Sequence, residues 1–401
     1  MTKMILSTLL LLFMGGAIPA LGKPAPAPPV RTLAEGNNRF ALSLYLRLRS
    51  RQENLFFSPM SLTTALGMVY AGSRGRTAQE MARVLYFPND RKILSRSMRD
   101  LTQVLKKKSE GVELTIANAL WGQKGYNFLK SYWDVLQTSY SAGLFEADFQ
   151  KDTEGARQAI NEWTEQNTEN RIKELLKPGI LKPATQLVLT NAIYFNGKWK
   201  TPFRMEETKE DAFFLLSGTK VAVPLMFREG LLPYGEEKNC QIIELPYGEN
   251  DFSMLLFLPQ KQAGLPELEK SLTQEKLKPA LSKKKVRVFL PKFVMESEFS
   301  LAETLQAMGM KIAFSPAADF TGMSPRRDLR ISAVIHKAFV DVGEEGTEAS
   351  AATAVVMTKM ALPVREPVKV FRADHPFLFL IRHNASGSTL FMGRMMNPAG
   401  K

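Results

Sequence analysis

The side chains of this sequence offer little equipment for covalent or metal chemistry. Its three histidines, His336, His375 and His383, all fall in or beside strand-like runs, and its single cysteine, Cys240, has no partner for an intrachain disulfide. So few histidines and thiols make poor material for a zinc site. No G-x-S-x-G elbow presents a serine nucleophile. Asp319-Phe320-Thr321-Gly322 is not the Asp-Thr-Gly of an aspartic protease, and Gly197-Lys198 lacks the glycine-rich loop that cradles phosphate. An enzyme is therefore not expected, and neither a metal nor a required cofactor is. Charge remains: Lys92, Arg96, Arg99 and Lys106 recur at i, i+4, i+7 and i+14, on one face of a helix, with Lys107 and Lys108 adjoining. That face reads either as a polyanion site or as an ordinary solvated surface. Lys283, Lys284, Lys285 and Arg287 form a second, smaller basic group, and Asn384-Ala385-Ser386 fits a glycosylation acceptor.

The whole chain is basic, with 53 Lys and Arg against 40 Asp and Glu and a net charge of +13, which favours acidic surfaces, polyanions or anionic membranes as partners. At 45% hydrophobic and 23% charged the composition is that of a globular protein, which excludes collagen-like, coiled-coil and wholly disordered chains. Lys3, an apolar run over residues 5–14 and the small-residue site Ala20-Leu21-Gly22 read as a secretory signal peptide over residues 1–22, so a secreted or extracytoplasmic protein is expected. The other reading, a membrane anchor, is disfavoured: the run is shorter than the roughly 20 residues a bilayer needs and is broken by Gly15, Gly16 and Pro19. Residues 23–33, opening on Lys-Pro-Ala-Pro-Ala-Pro-Pro, read as a stiff, unstructured leader.

Apolar spacing predicts an amphipathic helix over 34–51, a second beginning at Ser58-Pro59, and further helices over 78–85, 93–107 and 152–176. Strand-like runs follow at 112–121 and 186–195, and then at 221–227, 240–245, 252–258, 286–293, 329–342, 377–382 and 389–396. Helices come mainly first and strands mainly later, without regular alternation, which indicates an α+β fold rather than a doubly wound one. No repeat or Gly/Ser-rich linker divides the chain, so residues 34–398 are taken as one domain.

One connection does not fit an ordinary compact domain. More than thirty residues separate the strands at 329–342 and 377–382, whereas loops above about 15 residues are usually functional or disordered. The first part of this loop, from Gly346 to Met360, has no proline, one acidic residue and mostly small or β-branched side chains. Thr347, Ala349, Ala351, Thr353, Val355 and Met357 would share one face of a strand, with Glu348, Ser350 and Thr358 on the other. Such a segment reads either as a flexible linker or as a strand waiting for a sheet to open.

The flanks resemble the serpin family. Glu344-Glu345-Gly346-Thr347-Glu348-Ala349 looks like the hinge of that family's reactive-centre loop. Asp374-His375-Pro376-Phe377-Leu378-Phe379 and Phe391-Met392-Gly393-Arg394 look like its C-terminal signature. Asn54-Leu55-Phe56-Phe57-Ser58-Pro59-Met60-Ser61, Leu189-Thr190-Asn191-Ala192-Ile193-Tyr194-Phe195 with Gly197-Lys198-Trp199, and Leu290-Pro291-Lys292-Phe293 are similar to further motifs in the same order.

The resemblance implies three sheets surrounded by about nine helices and a reactive-centre loop at about 344–370. It implies an inhibitor of serine proteases in which the loop is cleaved, inserts into the main sheet and carries the protease away as an acyl-enzyme. The hinge would be Glu344, Glu345, Gly346, Thr347, Glu348, Ala349, Ser350, Ala351, Ala352 and Thr353. The family register puts the cut at Met360-Ala361, for an elastase-like, chymotrypsin-like or subtilisin-like target, or at Lys359-Met360 for a trypsin-like one. Cysteine proteases are a further class, because some relatives inhibit them. Ser58, Asn191 and His336 would meet in the family's shutter, although His336 also reads as an ordinary buried, hydrogen-bonded histidine. Lys292, Glu344 and Trp199 would meet at the breach, at the top of the sheet. The basic helix corresponds to one that binds sulfated polysaccharides in some relatives. A monomer is expected, with neither nucleic acid nor membrane as partner. The alternative is a non-inhibitory binding, carrier or chaperone-like serpin.

Overall fold

The structure, a computed structural model, describes residues 28–50, 52–106, 109–347 and 367–400. Eight α-helices lie among them: α1 (Pro28–Leu48), α2 (Pro59–Gly72), α3 (Gly75–Leu85), α4 (Arg91–Lys106), α5 (Lys130–Val135), α6 (Thr153–Asn167), α7 (Leu265–Lys270) and α8 (Ala302–Ala307). The strands begin with β1 (Leu55–Phe57), β2 (Val112–Gln123), β3 (Gly143–Ala147), β4 (Leu187–Lys198) and β5 (Lys209–Phe214). They continue with β6 (Lys220–Glu237), β7 (Cys240–Tyr247), β8 (Phe252–Pro259), β9 (Ser282–Pro291) and β10 (Phe293–Ser300). The last five are β11 (Ile331–Val342), β12 (Gly346–Thr347), β13 (Lys369–Arg372), β14 (Phe377–His383) and β15 (Ser388–Met395).

The strands form two hydrogen-bonded networks. One runs β10-β11-β12-β4-β2-β3, with β11 also paired directly to β4. The other runs β1-β15-β14-β8-β7-β6-β9-β13, with β5 on β6. It unites two of the three sheets the resemblance implies, because the long β6 pairs with β5 and β9 along most of its length and with β7 at its end. The six-stranded sheet is covered on both faces. α2 packs beneath it against β2 and β4, while Ala156 and Ile160 of α6 pack with Ala119, Trp121, Val188, Ala333 and Ile335 on the other side. Burial on both faces explains why β4 reads as an apolar run rather than an alternating strand.

Several boundaries differ from the sequence reading. α1 begins inside the expected leader, at Pro28, because two prolines suit a first turn whose N–H groups have no intrahelical partner, and Val30 and Leu33 are buried. The helix expected over 152–176 stops at Asn167. Glu169 and Asn170 turn the chain with φ of 51° and 60°. Leu175 and Leu176 are nonetheless buried, in an irregular return pinned by Asn161, whose side chain binds the Leu176 N–H at 2.7 Å and its carbonyl at 3.0 Å. The strand expected over 286–293 is two strands, with Lys292 at the joint where the chain passes from one network to the other. β13, inside the long connection, escapes sequence reading because only four residues pair along the edge of β9.

Candidate functional site

The six-stranded sheet has a seam between β4 and β11. These strands run parallel and pair from Leu187 and Ile331 up to Tyr194 and Phe339. Above that point β12 is wedged between them, with Thr347 opposite both Val342 and Gly197 and antiparallel to each neighbour. The chain turns into the wedge through Gly343, whose N–H donates to the Gly346 carbonyl at 2.8 Å. Only glycine fits at 346, since a Cβ there would lie 2.0 Å from the Gly197 carbonyl oxygen. Thr347 is fully buried, and its hydroxyl shares a 2.8 Å hydrogen bond with that of Tyr247, which burial keeps protonated.

A polar knot holds the top of the seam. Lys292 Nζ lies 3.0 Å from Glu344 Oε2, and Thr208 Oγ1 donates to Glu344 Oε1 at 3.1 Å. Burial raises the Glu344 carboxyl, but the Lys292 and backbone hydrogen bonds and the ammonium charge outweigh it and hold the group below its usual pKa. Trp199 donates its indole N–H to the Gly343 carbonyl at 2.9 Å and its backbone N–H to Glu345 at 2.7 Å. Its ring stacks on Tyr247 with centroids 4.3 Å apart. The hinge is thus held by Trp199 in the turn that follows β4 and by Lys292 at the joint between β9 and β10.

A second knot lies lower in the seam, where His336 and Asn191 are register partners. The Ser58 backbone N–H can only donate, and it meets His336 Nε2 at 3.0 Å. Nδ1 therefore carries the proton and donates to Asn191 Oδ1. Asn191 passes its amide hydrogens to Ser61 Oγ and Asn118 Oδ1. Ser58 Oγ caps α2 by accepting from the Ser61 N–H at 3.1 Å, and donates to the Leu390 carbonyl at 2.6 Å. Burial pushes the His336 pKa down to about 3, so the ring is neutral at ordinary pH.

Two polar knots thus lie across a parallel seam whose top already holds Gly346 and Thr347 between its strands. The family profile described as serpin (serine protease inhibitor) matches residues 35–398. The leukocyte elastase inhibitors of pig and human are 42% and 41% identical to the chain, each alignment covering 91% of this chain and 99% of the relative. The chain belongs to the serpin family. An uncharacterised serpin-like protein of Thermococcus kodakarensis is 39% identical, with 98% of each chain covered. Among solved structures, human thyroxine-binding globulin complexed with thyroxine superposes with a TM-score of 0.84 at 30% identity, covering 93% of this chain and 100% of its own.

These comparisons correct one expectation. The pig and human relatives are matched almost end to end by 91% of this chain, and the family match starts only at residue 35. The two elastase inhibitors offer no counterpart to the leader on which secretion rested, so the secreted assignment is withdrawn. Residues 1–22 lie outside the described residues, as do Glu348, Ala349, Ser350, Ala351, Ala352 and Thr353 of the hinge and Lys359, Met360 and Ala361 at the bond.

On α4 the side chains of Lys92, Arg96 and Arg99 are exposed, while Lys107 and Lys108 lie outside the described residues and Lys106 is described only as backbone. Sequence reasoning missed Arg91, which the helix turns inward over the Tyr70 ring at 4.4 Å. Its guanidinium donates to the Tyr70, Ala71 and Ser73 carbonyls at 2.9, 3.2 and 2.9 Å. With Lys92, Arg96 and Arg99 it lines a cleft of about 400 Å³ against Tyr140. Also missed was Arg228, buried on β6 under the breach, where desolvation lowers its pKa to about 10. It donates to the Thr201 carbonyl, and its Nε has no partner among the described residues. Neither arginine stands in a pattern that marks it in the sequence.

Proposed function

We propose that this serpin inhibits serine proteases by presenting the bond Met360-Ala361, trapping the acyl-enzyme and inserting the cleaved loop between β4 and β11. The observation that carries this reading is the pairing of Gly346 and Thr347 with both strands at the top of the seam. Carried downward two residues at a time, that pairing sets Ala349, Ala351 and Thr353 opposite Val340, Ala338 and His336 of β11. The same residues then face Phe195, Ile193 and Asn191 of β4, and Thr353 meets the lower knot. Those positions share the face of Thr347, which is fully buried, so small side chains are what the sheet can accept. Insertion exchanges one parallel interface for two antiparallel ones, which is favourable for the backbone.

Met360 suits the apolar pockets of elastase-like, chymotrypsin-like and subtilisin-like proteases, and leukocyte elastase inhibitor is the name of the pig and human relatives. Lys359-Met360 is the alternative bond, for a trypsin-like target whose pocket holds an acid. Cysteine proteases form a further class. The exposed Lys92, Arg96 and Arg99 are the proposed seat of a sulfated polysaccharide that would raise the rate; the trap itself needs no cofactor. The contrasting reading, a non-inhibitory carrier, is supported by the similarity to thyroxine-binding globulin.

The protein is mixed with trypsin, pancreatic elastase, chymotrypsin and subtilisin and run on denaturing gels. A band at the summed mass, with a new N-terminus at Ala361 or Met360, is the expected result. Cleavage by all four without a stable complex would overturn it in favour of the carrier reading.

A further inference from the structure

Beside the point where the chain returns from the loop, the sheet of β6, β9 and β13 turns one face to solvent. Glu229 binds both Lys285 at 2.7 Å and Arg287 at 2.8 Å, so these three side chains share that face. Leu231 is paired opposite Lys285 and Val370 opposite Arg287, which places both apolar side chains on the same surface. Leu231 is 65% exposed and Val370 47%, with Val368 next along at 36%. Aliphatic side chains this exposed, on β6 and at β13 with the cations of β9 between them, are more than the scattered apolar exposure of an ordinary surface.

We propose that this face is a second contact surface for the target protease, engaging its body outside the active-site cleft through Leu231 and Val370. The proposal rests on the inhibitor reading and adds a specificity determinant remote from the bond. Val368 stands seven positions after Ala361, a reach of at most about 25 Å. A protease of about 230 residues has a radius of gyration of about 17 Å and is therefore about 45 Å across. A body of that size holding Met360-Ala361 comes within reach of β13 and its neighbours.

The patch is too small to hold a partner by itself. Three aliphatic side chains fall far short of the roughly 1,200 Å² of a stable interface, which also argues against a second copy of this chain. For a protease already tethered through the loop, the second contact is effectively intramolecular and a small patch is enough. Lys285 and Arg287 share the single carboxylate of Glu229 on this face, and Lys283 adds exposed positive charge. The complementary surface on the protease is therefore apolar with an acidic rim, and contact with it raises the association rate.

The test uses Leu231→Glu and Val370→Glu, with Leu46→Glu as a control at an apolar residue 38% exposed on α1. Thermal unfolding establishes that each variant is folded. The rate constant for inhibiting pancreatic elastase is measured together with the yield of denaturant-resistant complex. Leu231→Glu and Val370→Glu are expected to slow association tenfold or more while the yield per cleavage stays unchanged, and Leu46→Glu to leave both alone. Rates within twofold of the unaltered protein for both face variants overturn the second contact and leave the inhibitor reading standing. Failure of the unaltered protein to form a complex with elastase, trypsin, chymotrypsin or subtilisin overturns the inhibitor reading and this inference with it. A concentration-dependent dimer abolished by Leu231→Glu would assign the face to self-association instead.

Discussion

The two polar knots of the β4/β11 seam use opposite physics. The lower one, His336 with Asn191, Ser58, Ser61 and Asn118, is buried, neutral and hydrogen-bonded throughout. The upper one contains an ion pair whose Lys292 side chain is 44% exposed while that of Glu344 is 9% exposed. When one member of a buried neutral network is removed, the groups left unsatisfied cost their full desolvation penalty. A half-exposed ion pair is replaced by water at little loss. On the proposed mechanism the lower knot sets how firmly the seam is closed, and the upper one the path by which the hinge enters it.

The largest effect should come from filling the seam below both hinge residues already in place. Ala351→Arg would bring a guanidinium against Ile193 and Ala338, both fully buried, where an unpaired charge is not tolerated. We expect inhibition to fall at least 100-fold while loop cleavage continues, seen as cleaved chain without complex on a denaturing gel. Undiminished complex formation would break the proposed register.

Next is His336→Ala, which strips the Ser58 N–H and Asn191 Oδ1 of their partner. At about 1 to 3 kcal/mol for each buried group left unsatisfied, a loss of about 3 kcal/mol in urea unfolding of the uncleaved protein is expected. A loss below about 1 kcal/mol would remove the lower knot's claim to hold the seam.

The same histidine gives a pH signature. Its folded pKa, about 3, lies below the usual 6.5, so the unfolded chain binds the extra proton between those values. Its stabilising contribution is complete above pH 6.5 and is lost as the pH falls toward 3, by up to about 1.4 kcal/mol per pH unit. His336→Gln should flatten that slope, as measured by denaturant midpoints across the range. Glu344 acts in the same direction at lower pH, because its folded pKa is depressed.

The smallest effect should be that of Lys292→Met, at about 0 to 1 kcal/mol in the same unfolding measurement. A loss rivalling that of His336→Ala would mean that the contrast between the knots is false.

Much of this was legible in the sequence because it is local. Ser58-Pro59 announces the capped start of α2, and the absence of proline and the mostly small or β-branched side chains over 346–360 mark a segment that could become a strand. Arg91 and Arg228 were not legible, since each is distinguished from other arginines only by what surrounds it: carbonyls and the Tyr70 ring for one, burial without a carboxylate for the other. The end of α6 was misjudged because Leu175 and Leu176 continue an apolar pattern, yet their burial is earned by a long-range bond to Asn161.

By itself the sequence determined the α+β order of elements, the family and the composition of the loop, all properties of neighbouring residues or of motifs in order. Tertiary structure alone decided that His336, Asn191 and Ser58 form one network, that Gly346 and Thr347 stand between β4 and β11, and that Leu231 and Val370 share an open face. Each depends on strand register, and register is set by cross-strand pairing between residues far apart in the chain.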